Sequence, residues 1–367
     1  MARYDAANTG YNPTASAPST GIVKDWMFPV EGNTHAAPVV GENTVYAGAG
    51  EALYAIEKKN SHQHWKRELG YHVGVFSPVI TQDLIFVAGR HEEKGKLFAL
   101  DREFGEIQWS ISTGKPESPI VWDRTVYLAE TTTNGSQIRA FSFDGSQKWQ
   151  TSVAEEYRNS LSSHLAVSSG NIFVSVTCES RENADNSKFV RTSKFDIETG
   201  QEQWVSQTKG QTSTSPAVAS GQVFVADQTG LLRSLDEETG EEQWRFDTGY
   251  SIQSSPAIAH DVVYTGTYTG EFYAIDCKTG DELWRTSIDV AYTDAAITDE
   301  TVVVGDGPIY GLSAIDGTTK WVHDETGFST TNYSPVLSDD AVFVGLCVKA
   351  DPEDMYDNSI IKLIEPA

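Results

Sequence analysis

Tryptophan recurs in this chain at Trp65, Trp109, Trp149, Trp204, Trp244, Trp284 and Trp321, mostly about forty residues apart. That interval constrains the fold more than any other feature. A repeat of this size is one supersecondary unit that buries its apolar face only by stacking on its neighbours. Six of the seven units have a glycine four residues before the tryptophan: Gly105, Gly145, Gly200, Gly240, Gly280 and Gly317. The exception is Ser61 in "KKNSHQHW". In four units an aspartate stands four residues before the glycine, as in "DREFG", "DIETG", "DEETG" and "DCKTG". This is a hairpin turn, in which the carboxylate accepts from a backbone N–H and glycine takes a positive φ. Units three and seven use the tighter "DG" at 144–145 and 316–317.

Upstream of each turn lie two alternating apolar runs, such as "VVYTGT" then "EFYAID", and before them a short run opening with "SPAV", "SPAI" or "SPVI". Each unit therefore reads as four antiparallel strands, A to D, with tryptophan on D and no helical periodicity. The two ends set the number of units. Residues 334–365 supply strands A, B and C and then stop, whereas residues 22–31, "IVKDWMFPVE", form a lone D strand carrying Trp26. The expectation is an all-β, eight-bladed β-propeller closed by its N-terminal strand, which removes open sheet edges. Residues 1–21 are a lead-in, and residues 22–367 are a single propeller.

The composition narrows the partners. The chain has 367 residues, with 52 Asp+Glu against 27 Lys+Arg and a formal charge of −25. A phosphate backbone is repelled by such a surface, so nucleic acid is not expected as a partner. The acidity is spread over all the turns, which makes a hydrated acidic shell suited to high salt and a salt-loving archaeal source. An ordinary acidic extracytoplasmic protein is the alternative. Cys178, Cys277 and Cys347 are far apart and form no thiol metal motif. The N-terminus carries no export signal and no run is long enough for a membrane span. Localisation is thus extracytoplasmic or at the cell surface if a signal was trimmed, and otherwise cytoplasmic. A closed ring is expected to be monomeric.

The pattern in "AIDCKTGDELW", and more loosely in "ALDREFGEIQW", "KFDIETGQEQW" and "SLDEETGEEQW", resembles the pyrroloquinoline-quinone-like propeller repeat. The opening "RYDAANTGYNP" is similar to the lead-in of archaeal members. The resemblance implies that the tryptophans dock against neighbouring blades. It also implies two functional groups, quinoprotein dehydrogenases and binding scaffolds that keep the ring without the catalytic machinery. This chain lacks the adjacent cysteines and long insertions of the enzymes, and no quinone or calcium ligand set carries over. The expectation is a non-enzymatic scaffold with no pyrroloquinoline quinone, recognising a protein, peptide or envelope polymer. A quinone-dependent dehydrogenase-like enzyme is the alternative.

Length variation is concentrated in the B–C loops, which share a face with the D–A loops. Loops on a rigid scaffold are where recognition resides. The candidate binding residues on that face are Phe76, Glu117, His164, Tyr250, Tyr292, Asp294 and Tyr333. His164, in "SLSSHLAV", takes the slot that proline fills elsewhere. "HQH" at 62–64 reads as a solvated pair. In "KADPEDMYDN", Asp351, Glu353, Asp354 and Asp357 gather four carboxylates in one loop, the oxygen chemistry that binds calcium.

Overall fold

The computed structural model describes residues 5–155, 157–160, 165–179, 187–289, 293–305, 308–324, 334–348 and 357–366. Among these residues there is no helix, and the strands form eight antiparallel sheets arranged as an eight-bladed propeller. Blade 6 represents the pattern, with A at Ala257–Ala259, B at Val262–Gly266, C at Glu271–Asp276 and D at Glu282–Ser287. In blades 3 and 4 strand A is split into two pieces. Strand alternation follows period two: D strands read half-exposed, while B and C, sandwiched between blades, are buried along most of their length.

The last blade is completed as the orphan strand requires. Val23–Val30 pairs antiparallel with Asp357–Ile364, from Val23 opposite Ile364 to Val30 opposite Asn358. One strand from the start of the chain thus closes the ring, with Trp26 buried against Phe343 at a ring separation of 6.1 Å.

The turn chemistry explains the repeat signature. Asp196 Oδ1 accepts from the backbone N–H of Glu198 and Thr199 at 3.1 and 2.8 Å, and Asp236 and Asp276 repeat the arrangement. The Thr199 hydroxyl and these amides hold the Asp196 carboxyl below the ordinary carboxylate range. The glycine that follows has a second duty. A Cβ on Gly240 would lie 2.5 Å from the Trp204 ring of the preceding blade, and one on Gly317 2.4 Å from Trp284. The tryptophan of each blade therefore lies flat on the turn glycine of the next. Its indole N–H donates to a carbonyl of that turn, as Trp204 does to Glu237 at 3.0 Å and Trp244 to Cys277 at 2.8 Å. Ser61, the one non-glycine, is bent to a φ of 59° to occupy the same left-handed position. At the closing seam Trp321 has no such turn ahead of it and donates to Pro18 O at 2.6 Å instead.

The lead-in has a structure of its own. Residues 5–12 cross the A–B end of the axis and touch the inner strands of blades 4 to 8 in turn. Ala6 O accepts from Val167 N at 2.6 Å, Ala7 O from Val218 N at 2.9 Å, Thr9 O from Ile258 N at 2.7 Å and Gly10 O from Ile297 N at 2.9 Å. Asn12 Nδ2 reaches Leu337 O at 3.0 Å. Burial alternates strictly, with Ala6, Asn8, Gly10 and Asn12 turned inward. Each blade rotates by about one-eighth of a circle, and positive φ at Asn8 (59°) and Gly10 (69°) bends the segment to follow.

Candidate functional site

At the other end of the axis the D–A loops deliver a serine immediately before the proline of strand A. These serines form an inter-blade belt. Ser77 N donates to Ser118 Oγ at 3.0 Å, Ser215 N to Ser255 Oγ at 3.1 Å, and Ser255 N to Asp294 Oδ1 at 2.6 Å. Asp294 occupies the serine place of blade 7, so this expected binding residue ties two blades together. In blades 5 to 7 the residue before the belt position turns back into its own blade. Thr214 Oγ1 donates to Ala226 O at 2.9 Å, and Thr293 Oγ1 donates to Gly305 O at 3.2 Å.

Phe76 and Glu117 stand at that same position and behave differently. Phe76 is only 4% exposed and packs with Phe86 and Phe141 in the cluster between blades 2 and 3. It is a core residue and does not line a binding surface, because a large apolar side chain at this place has only the blade interior to enter. At Glu117 the backbone N–H, not the side chain, satisfies the Ala129 carbonyl at 2.9 Å. The residue keeps some solvent contact, yet its carboxyl is crowded by neighbours. Desolvation raises its pKa from 4.5 to about 8, and the charge of Arg90 offsets only part of this.

A raised pKa means that the folded protein holds this proton more tightly than the unfolded chain. The stabilisation is complete below 4.5 and is lost as pH rises through about 8. Glu117→Gln is expected to match the parent in melting temperature at pH 4 and to exceed it at pH 9. Thermal melts across that range check this, and parallel profiles for the two proteins would count against it.

The remaining loop aromatics divide by burial. Tyr71 sits edge-on to Phe98 at 5.8 Å, with the Lys96 ammonium 5.1 Å from its ring, and Tyr157 packs on Phe189 at 4.8 Å. These rings support the loops. Tyr250 is 54% exposed, and Tyr268, which sequence reading passed over, is 63% exposed. The two loops are joined, since Tyr268 N donates to Ser251 O at 2.9 Å and Ile252 bridges Thr267. Two tyrosines thus stand on one face where blades 5 and 6 meet.

Beneath this face lies a layer of buried charge. Asp227 is fully buried, with Oδ2 2.9 Å from Arg233 Nη1. Toward the C–D end of blade 4, Arg191 holds both carboxylate oxygens of the partly exposed Glu202 at 2.9 and 2.8 Å. Glu130, 1% exposed, accepts from Gly114 N at 2.7 Å and from the Gln137 amide at 2.5 Å. Each carboxylate is anchored by partners within its own blade or loop.

His164, Tyr292, Tyr333, Asp351, Glu353 and Asp354 lie outside the described residues, and Asp357 opens the strand paired with Val348. Among the described residues no group of three His, Cys, Asp or Glu side chains is placed to hold a metal. The strand register does correct one alignment. Ala166 pairs with Phe173 as Ala217 pairs with Phe224, so Leu165 and not His164 fills the proline slot.

The repeats, their ring and its closure can now be set beside known proteins. A family model described as outer membrane protein assembly factor BamB matches residues 16–231 and 228–350. The chain belongs to this family. Among solved structures it is similar to quinohemoprotein alcohol dehydrogenase from Comamonas testosteroni, with 13% identity and a TM-score of 0.79, covering 100% of this chain and 80% of that one. A europium-containing methanol dehydrogenase gives 12% identity and a TM-score of 0.80, covering 99% and 97%. BamB from Moraxella catarrhalis gives 15% and 0.66, covering 94% and 97%. No curated protein sequence matches the chain. At these identities the structural likeness establishes the fold, which this family shares with enzymes and scaffolds alike.

The dehydrogenase likeness raises the question of a quinone on the axis. Among the described residues, the polar groups of the belt offer a quinone no free site. The belt hydroxyls and the Asp294 carboxylate already accept from neighbouring blades, and the charged groups nearby are bound in pairs below the loops. Cradling a quinone there would break the bonds that join the blades.

Proposed function

We propose that this family member is a non-enzymatic scaffold that recognises a protein, peptide or envelope polymer through its B–C/D–A face. The observation that carries this reading is the pairing of exposed Tyr250 and Tyr268 above the buried Asp227–Arg233 pair. Tyrosines held on a fixed support offer large contact area at low entropic cost, which is what recognition surfaces use. The described belt side chains of Ser118, Ser255 and Asp294, by contrast, are engaged in inter-blade bonds. The family description, an assembly factor, agrees with a protein partner and with an extracytoplasmic site of action. Closure by Val23–Val30 gives the last blade its full four strands, leaving only the short outer edge that every blade has, and supports a monomer. The acidic shell, at −25, supports work in high salt. Calcium in the loop of Asp351, Glu353, Asp354 and Asp357 is retained as a proposal on ligand chemistry alone.

The dehydrogenase likeness makes quinone-dependent oxidation the competing reading. Calorimetric titration with pyrroloquinoline quinone and calcium in high salt, followed by dye-linked oxidation of alcohols and sugars, separates the two. The scaffold reading expects no saturable complex and no turnover. A stoichiometric complex that turns over substrate would overturn it.

A further inference from the structure

The segment formed by residues 5–12 is bound to the ring in the manner of a peptide ligand. Successive carbonyls, from Ala6, Ala7, Thr9 and Gly10, meet one N–H from each of four consecutive blades. Its inward side chains are only Ala, Asn, Gly and Asn, so hydrogen bonds carry most of its hold, with Ala6, Ala7 and Tyr11 adding apolar contact to the inter-blade clusters. The two amides act between blades. Asn8 Nδ2 donates to Leu165 O at 2.8 Å and to Pro216 O at 3.2 Å, and Asn12 Nδ2 donates to Leu337 O. The ring does not need the segment for closure, because Val23–Val30 already completes blade 8.

The covered edges have counterparts that are left uncovered. Val167, Val218, Ile258 and Ile297 are at most 4% exposed. The strand register equates them with Val40, Ile80 and Val121 in blades 1 to 3, each of which keeps partial exposure. The inner edges therefore form one circular row of donors, of which the lead-in takes the arc from blade 4 to blade 7, ending on a carbonyl of blade 8.

We propose that this axial mouth is a receptor for an extended peptide of small and amide side chains, with residues 5–12 as its resident occupant. The resident segment lifts locally while the ring stays closed, and a second peptide of the same chemistry exchanges with it. This site lies at the opposite end of the axis from the tyrosine face and is independent of the reading proposed for that face. Its chemistry is specific: carbonyls follow the curve of the ring, and asparagine bridges adjacent blades.

The test uses the full chain carrying Asn8→Ala and Asn12→Ala. Amide hydrogen exchange at Val167, Val218, Ile258 and Ile297 should accelerate by about tenfold or more, with strands B and C of the same blades unchanged. A labelled peptide, Asp-Ala-Ala-Asn-Thr-Gly-Tyr-Asn, should then bind saturably and restore protection at those four amides. It should bind the unaltered chain about tenfold more weakly, because the resident segment competes. The same peptide carrying both Asn→Ala changes should not bind. Faster exchange throughout the ring would make the segment a structural part of the fold and overturn the proposal. So would four exposed amides that the peptide fails to protect, or amides that stay protected in the variant.

Discussion

A chain lacking residues 1–31 is expected to lose stability on the order of its whole folding free energy, about 5–15 kcal/mol for an ordinary domain. Three losses coincide. Strand Asp357–Ile364 loses its only outer neighbour, along a register running from Ile364 to Asn358. Trp26, 8% exposed, and its bond to Lys58 O at 3.1 Å disappear from the contact between blades 8 and 1. Trp321 loses Pro18 O, its acceptor at 2.6 Å, in the contact from blade 7. The exposed edge is a template for another chain. Size-exclusion chromatography should give dimers or aggregates in place of a monomer, and thermal melting should be shifted far down or become non-cooperative. A monomer that melts with the parent would mean that the ring does not depend on this strand.

Asp227→Ala is expected to be the most damaging single substitution among the buried charges, at about 3–5 kcal/mol, because it leaves a buried arginine uncompensated. Asp227 has two roles. Oδ1 accepts from Thr229 N at 2.8 Å and from Leu231 N at 3.3 Å, which shapes the B–C turn of blade 5. Oδ2 lies 2.9 Å from Arg233 Nη1, where the side chains are 0% and 4% exposed. That contact is Coulombic, since neither atom has an aligned hydrogen bond. Glu242, 3.6 Å from Arg233 Nε and more exposed, makes no hydrogen bond to it and compensates the charge only in part. Adding Arg233→Met to Asp227→Ala should recover part of the loss by removing the stranded charge. Chemical denaturation of the two variants measures both effects. An Asp227→Ala protein as stable as the parent would show that Arg233 is neutralised elsewhere.

The ring was legible in the sequence because every blade repeats one local solution. The Asp–Gly turn, the tryptophan and the period-two runs are side-chain signals, and Trp26 without a turn before it marked the closing strand. The lead-in was legible only as a resemblance. Residues 5–12 bind through their carbonyls, and a backbone contact leaves no pattern beyond small residues at alternate places. Phe76 misled for a related reason: it stands in a loop in the sequence, but its position before the belt serine points it into the blade. Tyr268 was hidden because "TYTGE" reads as an ordinary B–C turn, and only its neighbour Tyr250 gives it a role. Lys194 was equally opaque. It replaces the small residue, Ala274 or Ser234, that faces tryptophan in adjoining blades, and it stays buried by reaching Glu238 of the next blade at 3.0 Å.

The claim that this propeller acts by recognition on its loop face is tested most directly by site-specific photo-crosslinking. A photoreactive residue is placed in turn at Tyr250, Tyr268, Trp122 and Ile315, all exposed, the last two on the A–B/C–D face. Each protein is irradiated in a high-salt extract of the organism that makes it, and the adducts are identified by mass spectrometry. The account expects one common partner to be captured from positions 250 and 268 and not from 122 or 315. Capture of that partner from 122 and 315 alone, or equally from both faces, would contradict it.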